Sequence, residues 1–293
     1  MKKIFLTGGS GFIGKNIAEH FAGKYQIFAP THAELELLDE AAVKAYFSQH
    51  RVEAVIHSAV RPGHRNAKDP SQILLNNTRM FFNLVRNRAL FGKFIFLSSG
   101  CVYDQRFYQP KMGESAFDAH VPVDETGLSK YLAAKYLENM AEAVELRIFG
   151  VFGKYEDYAI RFISNMICKA LFDLPLTIKQ NRRFDYIWIN DLPPILEYFI
   201  ENKPQHKAYN VTPDGSIELV ELAKIVLEIS GKTLPIKVAK AGLGIEYSGD
   251  NQLLRREMGS LQFTPIRSAI KQLYDWYASN INSISRDVLL TDK

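Results

Sequence analysis

Thr7-Gly8-Gly9-Ser10-Gly11-Phe12-Ile13-Gly14 stands between the apolar run Lys3-Ile4-Phe5-Leu6 and a segment in which Ile13, Ile17, Ala18 and Phe21 recur at helical spacing. The run reads as a buried parallel strand and the recurrence as an amphipathic helix, so the glycines fall in the turn between them. Such a turn suits a pyrophosphate. Gly8 and Gly11 carry no Cβ to obstruct its approach, Gly14 permits close helix-strand packing, and the helix N-terminus offers unpaired N–H donors. A glycine triplet alone is a weak signal. Its place after a strand and before a helix is what predicts a dinucleotide loop.

Outward from this loop, strands and helices keep alternating, the pattern of an α/β chain with a doubly wound parallel sheet. Strands are expected at Gln26 to Ala29, Ala54 to His57, Phe94 to Ser99 and Val144 to Ile148, with helices over Glu40 to Gln49, Ile73 to Ala89 and about Leu128 to Ala143. Beyond residue 150, Pro175, Pro204, Pro213, Pro235 and Pro265 punctuate shorter segments, as in a loop-rich lobe facing the strand ends. Tyr209-Asn210-Val211 reads as a late strand that returns to the main sheet. The lobes are therefore interleaved: 1–150 with about 186–212 in one, about 151–185 and 213–293 in the other.

Composition narrows the class. With 293 residues, 47% hydrophobic and 23% charged, the chain can bury one large core or a main core with a smaller lobe. A net charge of +4 with scattered basic residues gives no nucleic-acid stripe, while anionic small molecules stay eligible. Cys101 and Cys168 have no metal-type spacing, so no metal and a reducing compartment are expected. The first residues lead straight into a strand, with no signal peptide and no membrane-length apolar run, which predicts a cytoplasmic protein.

The ordered motifs resemble the extended short-chain dehydrogenase/reductase family, the NAD-dependent epimerases and dehydratases of nucleotide sugars. Besides the glycine loop, the likeness rests on Val55-Ile56-His57-Ser58-Ala59, Asn77 with Asn83, Leu97-Ser98-Ser99-Gly100-Cys101-Val102-Tyr103, and Gly127-Leu128-Ser129-Lys130. Leu146-Arg147-Ile148-Phe149-Gly150-Val151-Phe152-Gly153 and Phe184-Asp185-Tyr186-Ile187-Trp188 continue it through most of the chain. His32 to Asp39, Ser99 to Tyr103 and Gln109 to Ser115 look like the GDP-fucose synthase branch, whose members epimerise and reduce a 4-keto-6-deoxy sugar on a nucleotide. The resemblance implies a Rossmann-type fold with a smaller C-terminal substrate lobe and a nucleotide-diphosphate sugar as partner. It also implies a homodimer formed through the helices near Thr78 to Ala89 and Leu128 to Ala143.

The same resemblance assigns a catalytic set. Hydride transfer at a sugar C4 needs a group that moves the hydroxyl proton in step, in the family a tyrosine whose pKa a neighbouring lysine lowers. Lys130 would fill the lysine role and also hold the nicotinamide ribose, Ser99 would orient the sugar oxygen, and Cys101 would shuttle a proton at the carbon next to the ketone. The tyrosine position in register with Lys130 is Thr126, whose hydroxyl has no accessible pKa near neutrality. A displaced Tyr131 to Lys135 pair exists. It lies about 140° around the helix from the cleft side and leaves only about two turns before the next strand, so it is read as an exposed or dimer-facing pair. Thr126 keeps a second reading open: a catalytically weakened cofactor-binding paralogue with a regulatory or scaffolding role.

On the cofactor side the likeness assigns Gly8, Ser10, Gly11, Phe12, Ile13 and Gly14 to the loop, Glu36 and Leu37 beside adenine, and Ser58, Ala59 and Asn77 to the strand ends. Ala29-Pro30-Thr31-His32 offers neither the acid that selects NAD nor the arginine that selects NADP. Likeness to the reductase branch favours NADP. For the sugar diphosphate, Arg161, Lys179 and Arg183 are the expected cations, with Arg182 nearby.

Overall fold

The computed structural model describes residues 1–64, 66–67 and 69–290. In β1 (Lys3–Thr7) alternate side chains enter opposite cores. Ile4 and Leu6 join one buried cluster and Phe5 the other, as the two-residue period of a strand covered on both faces requires. The chain continues through α1 (Phe12–Phe21), β2 (Gln26–Phe28), α2 (Glu40–Gln49), β3 (Val52–His57), α3 (Ile73–Val85), β4 (Phe91–Ser99), α4 (Glu125–Leu137) and β5 (Ala143–Ile148). There follow β6 (Gly150–Phe152), α5 (Phe162–Leu171), β7 (Leu176–Asn181), β8 (Arg183–Phe184), β9 (Tyr186–Trp188), α6 (Leu192–Glu201), β10 (Ala208–Val211) and β11 (Ile217–Glu218). The last elements are α7 (Leu219–Ser230), β12 (Ile236–Leu243), α8 (Gln252–Met258), α9 (Ile266–Ser279) and α10 (Arg286–Leu289).

Six strands form one parallel sheet in the order β2-β1-β3-β4-β5-β10. The order reverses at β1, which opens a crevice beyond the carboxyl ends of β1 and β3, the usual ligand position in such sheets. Tyr209 pairs with Leu146, so the late strand does rejoin the main sheet. On one face Val43, Phe47, Val55, Phe81, Leu84, Phe94 and Leu137 are buried together. On the other, Ile17, Phe21, Ile56 and Leu146 form a core that runs on into Ile163, Leu196, Leu222 and Leu273. Each fully buried side chain of this kind stabilises the fold by roughly 1.5–3 kcal/mol.

Several boundaries differ from the sequence expectation, and local contacts account for the larger shifts. β4 starts at Phe91 rather than Phe94, because Gly92 lies against Glu53 so closely that a Cβ there would stand 2.4 Å from its carbonyl oxygen. α3 stops at Val85 rather than Ala89; the Asn87 side chain donates to the Asn83 carbonyl as the chain turns into a short 3-10 segment. α4 begins at Glu125 rather than Leu128, since the Asp124 carboxylate accepts from the Gly127 N–H and caps the helix three residues early. It ends at Leu137, well short of Ala143.

The second half carries three short two-stranded ladders, β6 with β9, β7 with β12, and β8 with β11. No helix among the described residues is long and apolar enough to cross a membrane.

Candidate active site

The glycines of the loop have different duties. Gly8 has φ +70°, and a Cβ there would stand 2.9 Å from the Ala59 nitrogen; at Gly14 it would lie 2.1 Å from the Gly8 oxygen. These two let β1, β3 and α1 converge. Gly11 is extended and caps α1 with no side-chain bond, so the helix N-terminus faces the crevice with its first N–H groups unclaimed by a cap. A Cβ on Gly11 would meet only the Gly8 oxygen, at 3.3 Å. The cradle thus fits a dinucleotide pyrophosphate, with Gly11 on its open side.

Thr7 ties the ends of β1 and β3 together. Its hydroxyl oxygen accepts from the Ser58 and Ala59 N–H groups, so its proton goes to His57 Nδ1, 2.8 Å away. His57 is thereby held neutral with its proton on Nε2. Burial, helped by the Lys130 charge, pushes its pKa down to about 3.

Ser99 at the end of β4 and Lys130 on α4 line one cavity of about 470 Å³ together with Phe12, Ile13 and Ser58 from the cofactor side. Arg161, Tyr186 and Tyr247 close it from the second half. Lys130 Nζ donates to the Leu97 carbonyl at 3.1 Å and lies 5.0 Å from the centre of the Phe96 ring. Burial of the ammonium lowers its pKa, opposed by Cys101 and Glu145. Ser99 Oγ accepts from the Cys101 N–H and lies 3.2 Å from the phenol oxygen of Tyr247. Cys101 faces an adjoining space of about 340 Å³ with Tyr108 and Arg182; Phe184 and Tyr247 line both spaces. Burial pushes the Cys101 thiol up, against the pull of Lys130, so it is protonated at neutral pH.

The remaining expected residues divide. Leu37, with Leu35, lines a shallow hollow of about 40 Å³ beside Gly8, Ser10, His32 and Ala59. Glu36 is exposed, bonds the Leu38 N–H and pairs with His32. Asn77 spends its amide on the main chain of Arg61, accepting from the N–H and donating to the carbonyl. Thr126 lies near Gly63 and outside the cavity lining. Arg183 bonds Ser216 and faces Glu218 and Glu246, and Lys179 is exposed on β7; neither lines the cavity.

Tyr131 donates to Asp118, which also holds Lys135 at 3.0 Å. Lys135 is partly exposed, but Tyr131 is buried against Phe117, so the expectation of an exposed or dimer-facing pair is corrected for the tyrosine, whose ring packs inside the chain. The pair stands apart from the cavity.

Sequence reasoning passed over Leu35, Tyr108, Tyr186 and Tyr247. Leu35 shares the two-residue spacing of Leu37 and was legible; Tyr247 belongs to no motif. Among the described residues no cluster of His, Cys, Asp or Glu is arranged to hold a metal.

The profile of the NAD dependent epimerase/dehydratase family matches residues 4–212. The chain belongs to this family of NAD(P)-dependent enzymes. It is 25% identical over 255 residues to GDP-L-colitose synthase of Yersinia pseudotuberculosis, covering 78% of this chain and 82% of that one. It is also 23% identical to GDP-L-fucose synthase 1 of Arabidopsis thaliana, over 95% of this chain and 94% of the relative. In fold it superposes on a GDP-L-fucose synthetase from Naegleria fowleri bound to NADP with a TM-score of 0.83, at 17% identity, covering 96% of this chain and 94% of the other.

Proposed function

We propose that the chain is an NADP-dependent reductase or epimerase acting on a 4-keto or 4-hydroxy sugar carried by a nucleoside diphosphate. The observation that carries this reading is the cavity in which Phe12 and Ile13, just after the glycine turn, meet Ser99, Lys130 and Arg161. Residues 1–150 with about 186–212 would hold the cofactor, and 151–185 with 213–293 the sugar nucleotide. When bound, the nicotinamide supplies or removes a hydride. Lys130 holds the nicotinamide ribose, Ser99 hydrogen-bonds the sugar oxygen, and Arg161 takes a phosphate oxygen. The protonated Cys101 thiol is suited to proton exchange at the carbon beside a ketone. Two points support NADP over NAD: among the described residues no acidic side chain lines the hollow beside Gly8, whereas His32 does, and the Naegleria fowleri structure holds NADP.

α3 and α4 pack together and leave Leu75, Phe82 and Leu132 exposed, with Val121 and Val123 beside them in sequence to α4. This apolar face supports a homodimer, which light scattering at micromolar concentration should show as twice the chain mass. The activity is tested by mixing the chain with NADPH and GDP-, UDP- and dTDP-linked 4-keto-6-deoxy sugars. Oxidation of NADPH with at least one is the expected result. Tight NADPH binding without turnover of any would favour the regulatory paralogue.

A further inference from the structure

We propose that Tyr247, supplied by the second half of the chain, is the catalytic phenol of this site and does the proton work that Thr126 cannot. The proposal rests on the reductase reading above.

Its first support is position. The Tyr247 hydroxyl stands 3.2 Å from Ser99 Oγ, inside the cavity that Lys130 also lines. A serine hydroxyl and a phenol at hydrogen-bond distance form a pair of donors between which one carbonyl oxygen can sit. α4 offers no phenol there: Thr126 is off the cavity lining, and Tyr131 is engaged with Asp118.

The second support is delivery. The Tyr247 N–H donates to the Arg183 carbonyl at 3.0 Å, and its own carbonyl accepts from the Asp185 N–H at 3.1 Å. Two residues on, the Gly249 N–H donates to the buried Asp185 carboxylate at 2.7 Å. The ring is held by Phe149, Tyr108 and Phe184, with centroids at 4.9, 5.2 and 5.7 Å. Gly100 completes the arrangement, because a Cβ there would come within 2.7 Å of the Tyr247 hydroxyl. A side chain at 100 would displace the phenol from Ser99. Positioning of this quality on paired main chain is what a proton donor needs.

The chemistry balances for ketone reduction, with reduced nicotinamide as the reductant. As the carbonyl carbon gains a hydride, the C=O π pair moves to oxygen, and that oxygen takes the phenolic proton while the Tyr247 O–H bond breaks. The phenolate recovers its proton from solvent. Burial raises the phenol's pKa well above its ordinary value, opposed by the Ser99 bond, so the resting group carries the proton it has to give.

The test is Tyr247→Phe, which keeps the ring and its packing. In the reductase assay kcat should fall by about a hundredfold to ten-thousandfold, the usual range for one positioned acid. The NADPH dissociation constant and thermal midpoint should stay at wild-type values. Calorimetric affinity for the reduced sugar nucleotide should weaken by roughly five- to tenfold, as for one lost hydrogen bond. Turnover within threefold of wild type would overturn the proposal and leave the reductase reading standing. An equal loss of NADPH affinity would also overturn it, by showing a structural role. Failure of the wild type to turn over any sugar in the panel would remove both.

Discussion

The glycine loop at 7–14 and the segment around Tyr247 are the two walls of one cavity, and they were built in opposite ways. The loop is contiguous: a strand, a turn and a helix between Lys3 and Phe21 place every donor, so its geometry follows from local sequence. Tyr247 arrives across a chain separation of 148 residues from Ser99. It rides on a segment outside any helix or long strand and is held by Arg183, Asp185 and Gly100. The first wall can be broken by one residue within it. The second is sensitive to residues far from it in sequence.

The sharpest test of that contrast lies within the loop. Gly14→Val should destabilise the fold by at least ~3 kcal/mol, because its Cβ would meet the Gly8 main chain, which cannot move without parting β1 from α1. Gly11→Val should fold with an ordinary thermal midpoint yet lose roughly a hundredfold or more in NADPH affinity. The added carbons would stand where the phosphates meet the helix N-terminus, and charge-assisted bonds are worth ~1.5–3 kcal/mol each. Urea unfolding and fluorescence titration separate the two outcomes; equal behaviour in both assays would refute the division of labour among the glycines.

A smaller effect tests the far wall. Burial, opposed by bonds from Thr212 and Gly249, pushes the Asp185 carboxyl up to about 6. A raised carboxyl holds its proton in the folded state over a range where the unfolded chain has released it. Asp185 therefore stabilises the fold fully below about pH 4, and that contribution is lost as pH rises through 6. Asn can accept both hydrogen bonds without carrying charge. Asp185→Asn should thus be more stable than wild type at pH 8, on the order of 1–3 kcal/mol, with the difference gone near pH 4. A stability difference that does not change with pH would show that the carboxylate is not strained by burial.

The least effect is expected at Tyr131. Tyr131→Phe removes the bond to Asp118 and should cost about 1 kcal/mol in stability while turnover stays within twofold. A collapse of activity there would restore the displaced Tyr131 to Lys135 pair as the catalytic one and undo the comparison between the walls.

What the sequence disclosed follows the same divide. The parallel sheet, the return of Tyr209 to it, and the meeting of Ser99 with Lys130 were legible because each depends on a strand end or a helical face. Helix ends were missed where one side chain decides them, as Asp124 does for α4. Among the expected cations only Arg161 reaches the cavity. Arg182 lies in the break between β7 and β8 and Arg183 opens β8, and sequence does not say which of the two neighbours faces the Cys101 space. Tyr247 was not legible at all, since long-range pairing rather than a motif puts it there.

Gly100 carries an evolutionary consequence. Its lack of a side chain matters here because a phenol from position 247 must pass over it to reach Ser99. A homologue with tyrosine at the position of Thr126 would need no such passage. Across descendants of a common ancestor, an aromatic hydroxyl at 247 that reaches Ser99 should therefore occur only with glycine at 100, while position 247 is free to change wherever the helix supplies its own phenol; glycine at 100 should outlast that change wherever the Phe149 ring still lies against it, since a Cβ there would stand 2.7 Å from that ring as well.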